Sequence, residues 1–210
     1  SKIKQSKSSK FAGMRLKAFF RDYIGQLKTV YEEQEATAIA SLCFEATAGI
    51  SRTELIRNPE MELSEEIILT MEQQLALLLR HHPVQYVLGE AWFYQYAFKV
   101  NTSVLIPRPE TEELVEWTLQ TLNTNFHKDK VSILDIGSGS GCIPITLKKE
   151  RPNDDITSLD ISENALKTAA ENAIFHQAEI HWLQLDFLLP AKRNTLPCLI
   201  ASSATRPISR

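Results

Sequence analysis

Three glycines and three acids carry the chemistry that can be read from this chain. Gly137, Gly139 and Gly141 alternate with Ser138 and Ser140 in one pentapeptide, with Asp135 just ahead of it in the apolar run VSILDIG. Glycines at the C-terminal end of a strand permit positive φ and let a ligand approach the backbone closely. The dinucleotide fingerprint G-x-G-x-x-G needs glycine at 142, where this chain has Cys142, and no Lys-Ser or Lys-Thr follows as in a Walker loop. A second acid, Asp160, closes the run DITSLD, where a carboxylate can accept hydrogen bonds from two ribose hydroxyls. A third, Asp186, closes EIHWLQLD and is followed by Phe187. That pair can take the amino edge of an adenine and stack on its face. A crevice rich in acids and free of lysine suits a cationic nucleoside better than a polyphosphate. S-adenosylmethionine has a sulfonium, an ammonium, a ribose and an adenine, and no phosphate. The expected cofactor-binding set is therefore Asp135, Gly137, Ser138, Gly139, Ser140, Gly141, Asp160, Asp186 and Phe187.

Such a site needs parallel strands with helical crossovers to bring the acids together. From Val131 the pattern is apolar run, glycine loop and helix, apolar run, helix over SENALKTAAENAIFHQA with Ser162 as N-cap, and apolar run. This β-α-β-α-β order implies a Rossmann-like α/β sheet. The preceding residues differ in kind. From Met14 to about Arg80 the apolar period is helical, with Phe19, Phe20, Tyr23, Ile24 and Leu27 at steps of three and four. One helix stops at Gly49, a good C′ residue. Ser51 and Glu54 form a capping box before Pro59, and Ser64 caps a further helix ended by Pro83. These spacings predict a helical domain over residues 14–83. Trp92, Tyr94, Tyr96, Phe98 and Val100 alternate, which predicts a β-hairpin connector over residues 84–104. IPRPETEELVEW turns at two prolines and enters a helix at Thr111 or Glu112. Residues 105–197 read as the N-terminal half of the α/β domain.

Composition excludes several classes. The 210 residues carry a net charge of −3 and are 43% apolar, enough for a core and without the basic excess that non-specific nucleic-acid or membrane binding needs. No run of 18 apolar residues is present, nor an apolar secretory core at the N-terminus. Cys43, Cys142 and Cys198 are far apart and odd in number, with no disulfide or metal spacing, so no metal is expected and a reducing cytoplasm is the expected compartment. The Ser/Lys-rich residues 1–13 read as a disordered leader ahead of Met14. Trp117 and Trp182 read as core, Cys142 as a small filler at a helix start, and His81 and His82 as residues favoured at a helix C-terminus.

The segments VLIPRPETEELVEW, ILDIGSGSGCIPITL, SLDISENALKTAAENA and QLDFL together resemble the HemK/PrmC family, from about Met14 to Pro190. These are protein-(glutamine-N5) methyltransferases that modify peptide chain release factors. The resemblance implies that residues 137–141 wrap the methionine part of S-adenosylmethionine, that Asp160 holds the ribose, and that Asp186 and Phe187 flank the adenine. It places Arg108 and Glu110 at the border of the cofactor and substrate pocket. It implies a release factor as partner, docked by the helical domain, without direct nucleic-acid or membrane binding. Two alternatives stay open: a related methyltransferase acting on a ribosomal-protein glutamine or on nucleic-acid amino groups, and a non-catalytic partner-binding module.

The family's catalytic signature, Asn-Pro-Pro-Tyr, is absent from these residues, so no catalytic residue is assigned and the chain as given is expected to be inactive. Where a fourth strand should begin, the chain reads CLIASSATRPISR, with no strand-length apolar run after Ala201. This stretch is compatible with DNA that, read two bases later, encodes Phe-Asp-Cys-Val-Val-Ser-Asn-Pro-Pro-Tyr-Ile-Pro. The first two codon bases of Thr205, Arg206, Pro207 and Ile208 can be AC, CG, CC and AT, which the signature needs in that order. Residues 198–210 are accordingly expected to be an aberrant, frameshifted tail on a sheet truncated after about three strands. Weak cofactor binding and an exposed first strand would follow.

Overall fold

The computed structural model describes residues 13–126, 129–189 and 200–202. Most of the expected leader and most of the expected tail lie outside the described residues. The chain divides into two compact units between Leu88 and Gly89.

The first unit is helical: α1 (Leu16–Leu27), α2 (Glu33–Ala48), α3 (Arg52–Arg57), α4 (Glu65–Leu78) and α5 (Val84–Leu88). The stripe on α1 buries Leu16, Phe19, Tyr23 and Leu27, with Phe20 and Ile24 at its margin. Phe44 of α2 meets this face, its ring centroid 5.3 Å from Phe19 and 5.5 Å from Tyr23, the latter edge-on as aromatic quadrupoles prefer. Ile68, Met71 and Leu78 of α4 complete the core. The start and stop signals act as read. Ser51 accepts the Glu54 amide, Ser64 accepts the Ile67 amide, and Gly49 takes φ +68 at the end of α2. Two expectations are corrected. The last helix closes at Leu79, well before Pro83, and His81 adopts φ +61 with its ring edge-on to Tyr31. Val84–Leu88, read as part of a β connector, is a helical turn.

In the second unit, β1 (Glu90–Phe93) and β2 (Tyr96–Lys99) form an antiparallel hairpin, with Glu90 opposite Lys99 and Phe93 opposite Tyr96. Phe93 and Phe98 point into the α/β core, so the expected hairpin packs on the elements of the parallel sheet and its helices. Helix α6 (Pro109–Phe126) starts at Pro109, earlier than expected, because proline suits the first helical position. Its buried stripe is Val115, Leu119 and Leu122. Trp117 lies two residues off that stripe and is 68% exposed, which corrects its reading as core. Trp182 is half-buried against the core. Then follow β3 (Ser132–Ile136), α7 (Cys142–Glu150), β4 (Asp155–Asp160), α8 (Glu163–His176) and β5 (His181–Gln184). All pairs are parallel, in the order β5-β4-β3, as the β-α-β-α-β pattern implied.

A fourth strand, β6 (Ile200–Ser202), pairs parallel with the free side of β3, setting Ile133, Leu134 and Asp135 opposite Ile200, Ala201 and Ser202. This corrects the expectation that the sheet stops at its third strand and leaves β3 as an edge. Ladder bonds are made by backbone groups, so three residues suffice without a long apolar run.

Candidate functional site

The strand order turns around at β3. The chain winds from β3 outward through β4 to β5, then returns to β6 on the other side. In open parallel sheets the crevice beyond the carboxyl ends of the strands at such a switch point is where ligands bind. The glycine loop leaves β3 at that point. It is tied to the neighbouring strand, since the amides of Gly137 and Ser138 both donate to the Leu159 carbonyl, at 2.8 and 3.0 Å.

The two later glycines do different things. Gly139 has φ +53, and a Cβ built on it would meet nothing within 4 Å, so its backbone faces open space. Gly141 has φ +80, and a Cβ there would lie 3.0 Å from Ile145 Cδ1 and 3.1 Å from Ala169 Cβ. Gly141 therefore lets α7 start against α8. Gly141 thus has a packing role, while Gly139 is the loop glycine that faces open space.

The acids also divide. Asp160 ends β4 and is half-buried. Its Oδ2 accepts the Gly139 amide at 3.0 Å and its Oδ1 accepts the Ser162 amide at 2.9 Å. A carboxylate has about four acceptor directions, so each oxygen keeps capacity for a further donor such as a hydroxyl. Asp160 thus fixes the open-facing residue of the loop and presents acceptor capacity beside it. Asp135 is fully buried and cannot reach into an open crevice. Its Oδ2 accepts from Ser158 Oγ at 2.6 Å, and Ser158 Oγ lies 2.6 Å from Ser138 Oγ. With the Ser158 proton used on Asp135, Ser138 is the donor in the second bond. Asp135 thereby holds the loop from below through two serines, a correction to its reading as a direct ligand group. Its Oδ1 finds no hydrogen-bond partner among the described residues, and burial pushes the carboxyl up to about 6. Asp186 lies beyond β5, and its Oδ1 accepts the Leu188 amide, forming a turn that carries the half-buried Phe187. Asp135, Asp160 and Asp186 thus stand on three adjacent strands or their ends, as the pattern required.

Arg108 and Glu110 flank the start of α6 and are exposed. The Arg108 carbonyl accepts the Thr111 amide. Among the described residues neither side chain joins the hydrogen bonds of the glycine loop. Cys142 is buried at the head of α7, and burial pushes its thiol up to about 12, so it is a filler rather than a nucleophile.

Sequence reasoning missed the residues that brace the loop from behind. Ser158 sits at a fully buried position of β4, and Asn172 is 2% exposed on the inward face of α8. Asn172 Nδ2 donates to the carbonyls of Ser140 and Lys99, at 2.8 and 2.9 Å, and its Oδ1 accepts the Lys99 amide at 2.7 Å. The signal was a polar residue in phase with the alanines of a buried helical stripe.

A family model for the PrmC N-terminal domain matches residues 20–89, and one for the methyltransferase small domain matches residues 115–201. A release factor glutamine methyltransferase of Flavobacterium psychrophilum is 36% identical over 175 residues, covering 83% of this chain and 61% of that protein. One of Lactococcus lactis is 43% identical over 135 residues, covering 64% and 46%. These matches show a PrmC N-terminal domain followed by a methyltransferase small domain. The first of these domains is the helical unit, and the chain spans 46% to 61% of the length of these two relatives. A solved plantazolicin methyltransferase, BpumL in complex with SAH, overlaps 37% of this chain and 29% of its own at 32% identity and a TM-score of 0.32. The fold rests on the sheet order above rather than on that overlap. Among the described residues no group of His, Cys, Asp and Glu could hold a metal ion, and no helix is long and apolar enough to cross a membrane.

Proposed function

We propose that this chain carries the cofactor half of an S-adenosylmethionine-dependent methyltransferase whose substrate is the side-chain amide of a glutamine in a peptide chain release factor. The observation that carries the reading is the open face of Gly139, held by Asp160 at the switch point of a parallel sheet. The residues present fit this cofactor. The loop offers backbone without Cβ, Asp160 has free acceptor capacity for ribose hydroxyls, and Phe187 follows an acid beyond the third strand. The bound cofactor supplies an electrophilic methyl group on a sulfonium. Asp160 and the loop orient the nucleoside and methionine parts, and Asp135 with Ser158 keeps the loop in shape. The glycine loop carries no cation to attract a polyphosphate, which favours this ligand over a nucleotide.

The release factor follows from the named relatives and the matching N-terminal domain, which is assigned to docking it; Arg108 and Glu110 are assigned to the border of the substrate pocket. A planar amide nitrogen is a weak nucleophile and needs positioning. The chain contains no Asn-Pro-Pro-Tyr to do this, so these 210 residues are expected to bind the cofactor weakly and to transfer nothing. Two measurements test the reading. Calorimetric titration with S-adenosylhomocysteine should give a one-site isotherm that Asp160→Ala abolishes. Labelled methyl transfer to a purified release factor should appear only when the chain is extended through an Asn-Pro-Pro-Tyr segment. Labelling of ribosomal protein or RNA in place of release factor would reassign the substrate.

A further inference from the structure

Three side chains one helical turn apart on α8 grip alternate residues of the hairpin strand and its continuation. Thr168 Oγ1 accepts Asn101 Nδ2 at 2.9 Å, Asn172 clasps both backbone groups of Lys99, and a His176 ring nitrogen lies 2.7 Å from the Ala97 carbonyl. Helix period and strand period match here, since residues 168, 172 and 176 share a helix face as 97, 99 and 101 share a strand face. Asn172 alone among the three also reaches the glycine loop, through the Ser140 carbonyl. It is nearly fully buried, with both amide donors directed at carbonyls of two different segments. Each of those carbonyls would be left without that donor if the side chain were lost.

We infer that Asn172 is a positioning residue that couples the hairpin to the glycine loop, so that order in one stabilises the other. This rests on the reading that the loop holds the cofactor. Coupling of this kind is reciprocal: a ligand that orders the loop must order the hairpin by the same factor.

Amide hydrogen exchange on the chain without ligand tests the coupling directly. Three amides report it. Lys99 donates to Asn172, Gly139 donates to Asp160, and Gly141 donates to the Ser138 carbonyl. In the unsubstituted chain, Lys99, Gly139 and Gly141 should exchange through one shared opening, with equal dependence on urea. Asn172→Asp keeps the acceptor for Lys99 but removes both donors. It should speed exchange at Gly139 and Gly141 by about tenfold or more, the scale of one lost buried hydrogen bond. Asn101→Ala, which loosens the hairpin but leaves Asn172 in place, should speed exchange at Lys99 and carry through to the loop. Unequal openings in the unsubstituted chain, or loop protection unchanged in Asn101→Ala, would overturn the inference even if Asn172→Asp does not fold. Addition of S-adenosylhomocysteine should then slow Lys99 exchange along with the loop. An absence of binding in that last step counts against the proposed cofactor and leaves the exchange result standing.

Discussion

Asp135 gives the sharpest quantitative test, because burial is the largest influence on its carboxyl. Its carboxyl lies at about 6 against 3.8 in an unperturbed aspartate, raised first by desolvation and further by the Asp160 charge, with the Ser158 bond opposing. A native-state value above the unfolded one means the folded chain holds the proton more tightly. The contribution to stability is full below about pH 4 and is lost as the pH rises through 6. A shift of about two units at 1.36 kcal/mol each amounts to about 3 kcal/mol, good to order of magnitude. Asp135→Asn keeps the shape and cannot ionise, so its stability should lack this slope. Glu116, Asp155 and Glu163, whose carboxyls hydrogen-bonded partners hold below the usual range, push the other way at lower pH, but they are common to both proteins and cancel in the difference. All three tryptophans, Trp92, Trp117 and Trp182, follow Gly89, so tryptophan fluorescence during urea unfolding reports the second unit alone. The stability difference between the two proteins should change by about 3 kcal/mol between pH 4 and pH 7, with Asn gaining as the pH rises. A difference that stays constant across that range refutes the argument that Asp135 is buried without a compensating cation.

The two loop glycines should separate cleanly. Gly141→Ala combines left-handed strain of about 1–2 kcal/mol with overpacking of about 1–3 kcal/mol against Ile145 and Ala169, and should lower urea stability accordingly. Gly139→Ala should carry the strain alone yet weaken S-adenosylhomocysteine binding; equal stability losses in the two variants contradict the difference in their surroundings. Ser64→Ala should cost the helical unit about 1 kcal/mol through loss of the α4 cap, read as a lower midpoint by circular dichroism. The coding DNA at Cys198 onward should encode Asn-Pro-Pro-Tyr in the frame two bases later. Its absence there removes the frameshift account, and β6 is then a native strand of this chain.

The sequence reading found what repeats and what punctuates. The α1 stripe, the caps at Ser51, Ser64 and Ser162, the Gly49 stop and the parallel order of three strands all follow from local periods or single-residue chemistry, which survive without tertiary information. Strand ends and a glycine loop define where the crevice lies, but spacing alone does not separate the roles of the residues around it. Spacing places Asp135, Asp160 and Asp186 on adjacent strands without saying which way each carboxylate faces. Asp135 precedes Ile136 inside β3 and is fully buried, Asp160 is the last strand residue and reaches the Gly139 amide of the loop, and Asp186 lies past its strand in a turn. In the register Asp135 lies opposite Ser158, two residues short of Asp160, so these two acids share a sheet face but differ in depth, and the end of an apolar run, known only to within a residue or two, cannot distinguish a carboxylate inside the ladder from one at its mouth. The same limit hid Ser158 and Asn172. A serine within an apolar strand and an asparagine within an alanine-rich helix read as tolerated exceptions, and only the register of β3 against β4 and of α8 against β2 turns them into the bonds that hold the loop. Buried polar groups are costly unless paired, so a polar residue in phase with a buried stripe implies a partner elsewhere in the fold. Applied to this chain, that rule marks Ser158 and Asn172 as residues that need partners, and the register supplies those partners in two segments, the hairpin and the glycine loop, that sequence periodicity treats as independent.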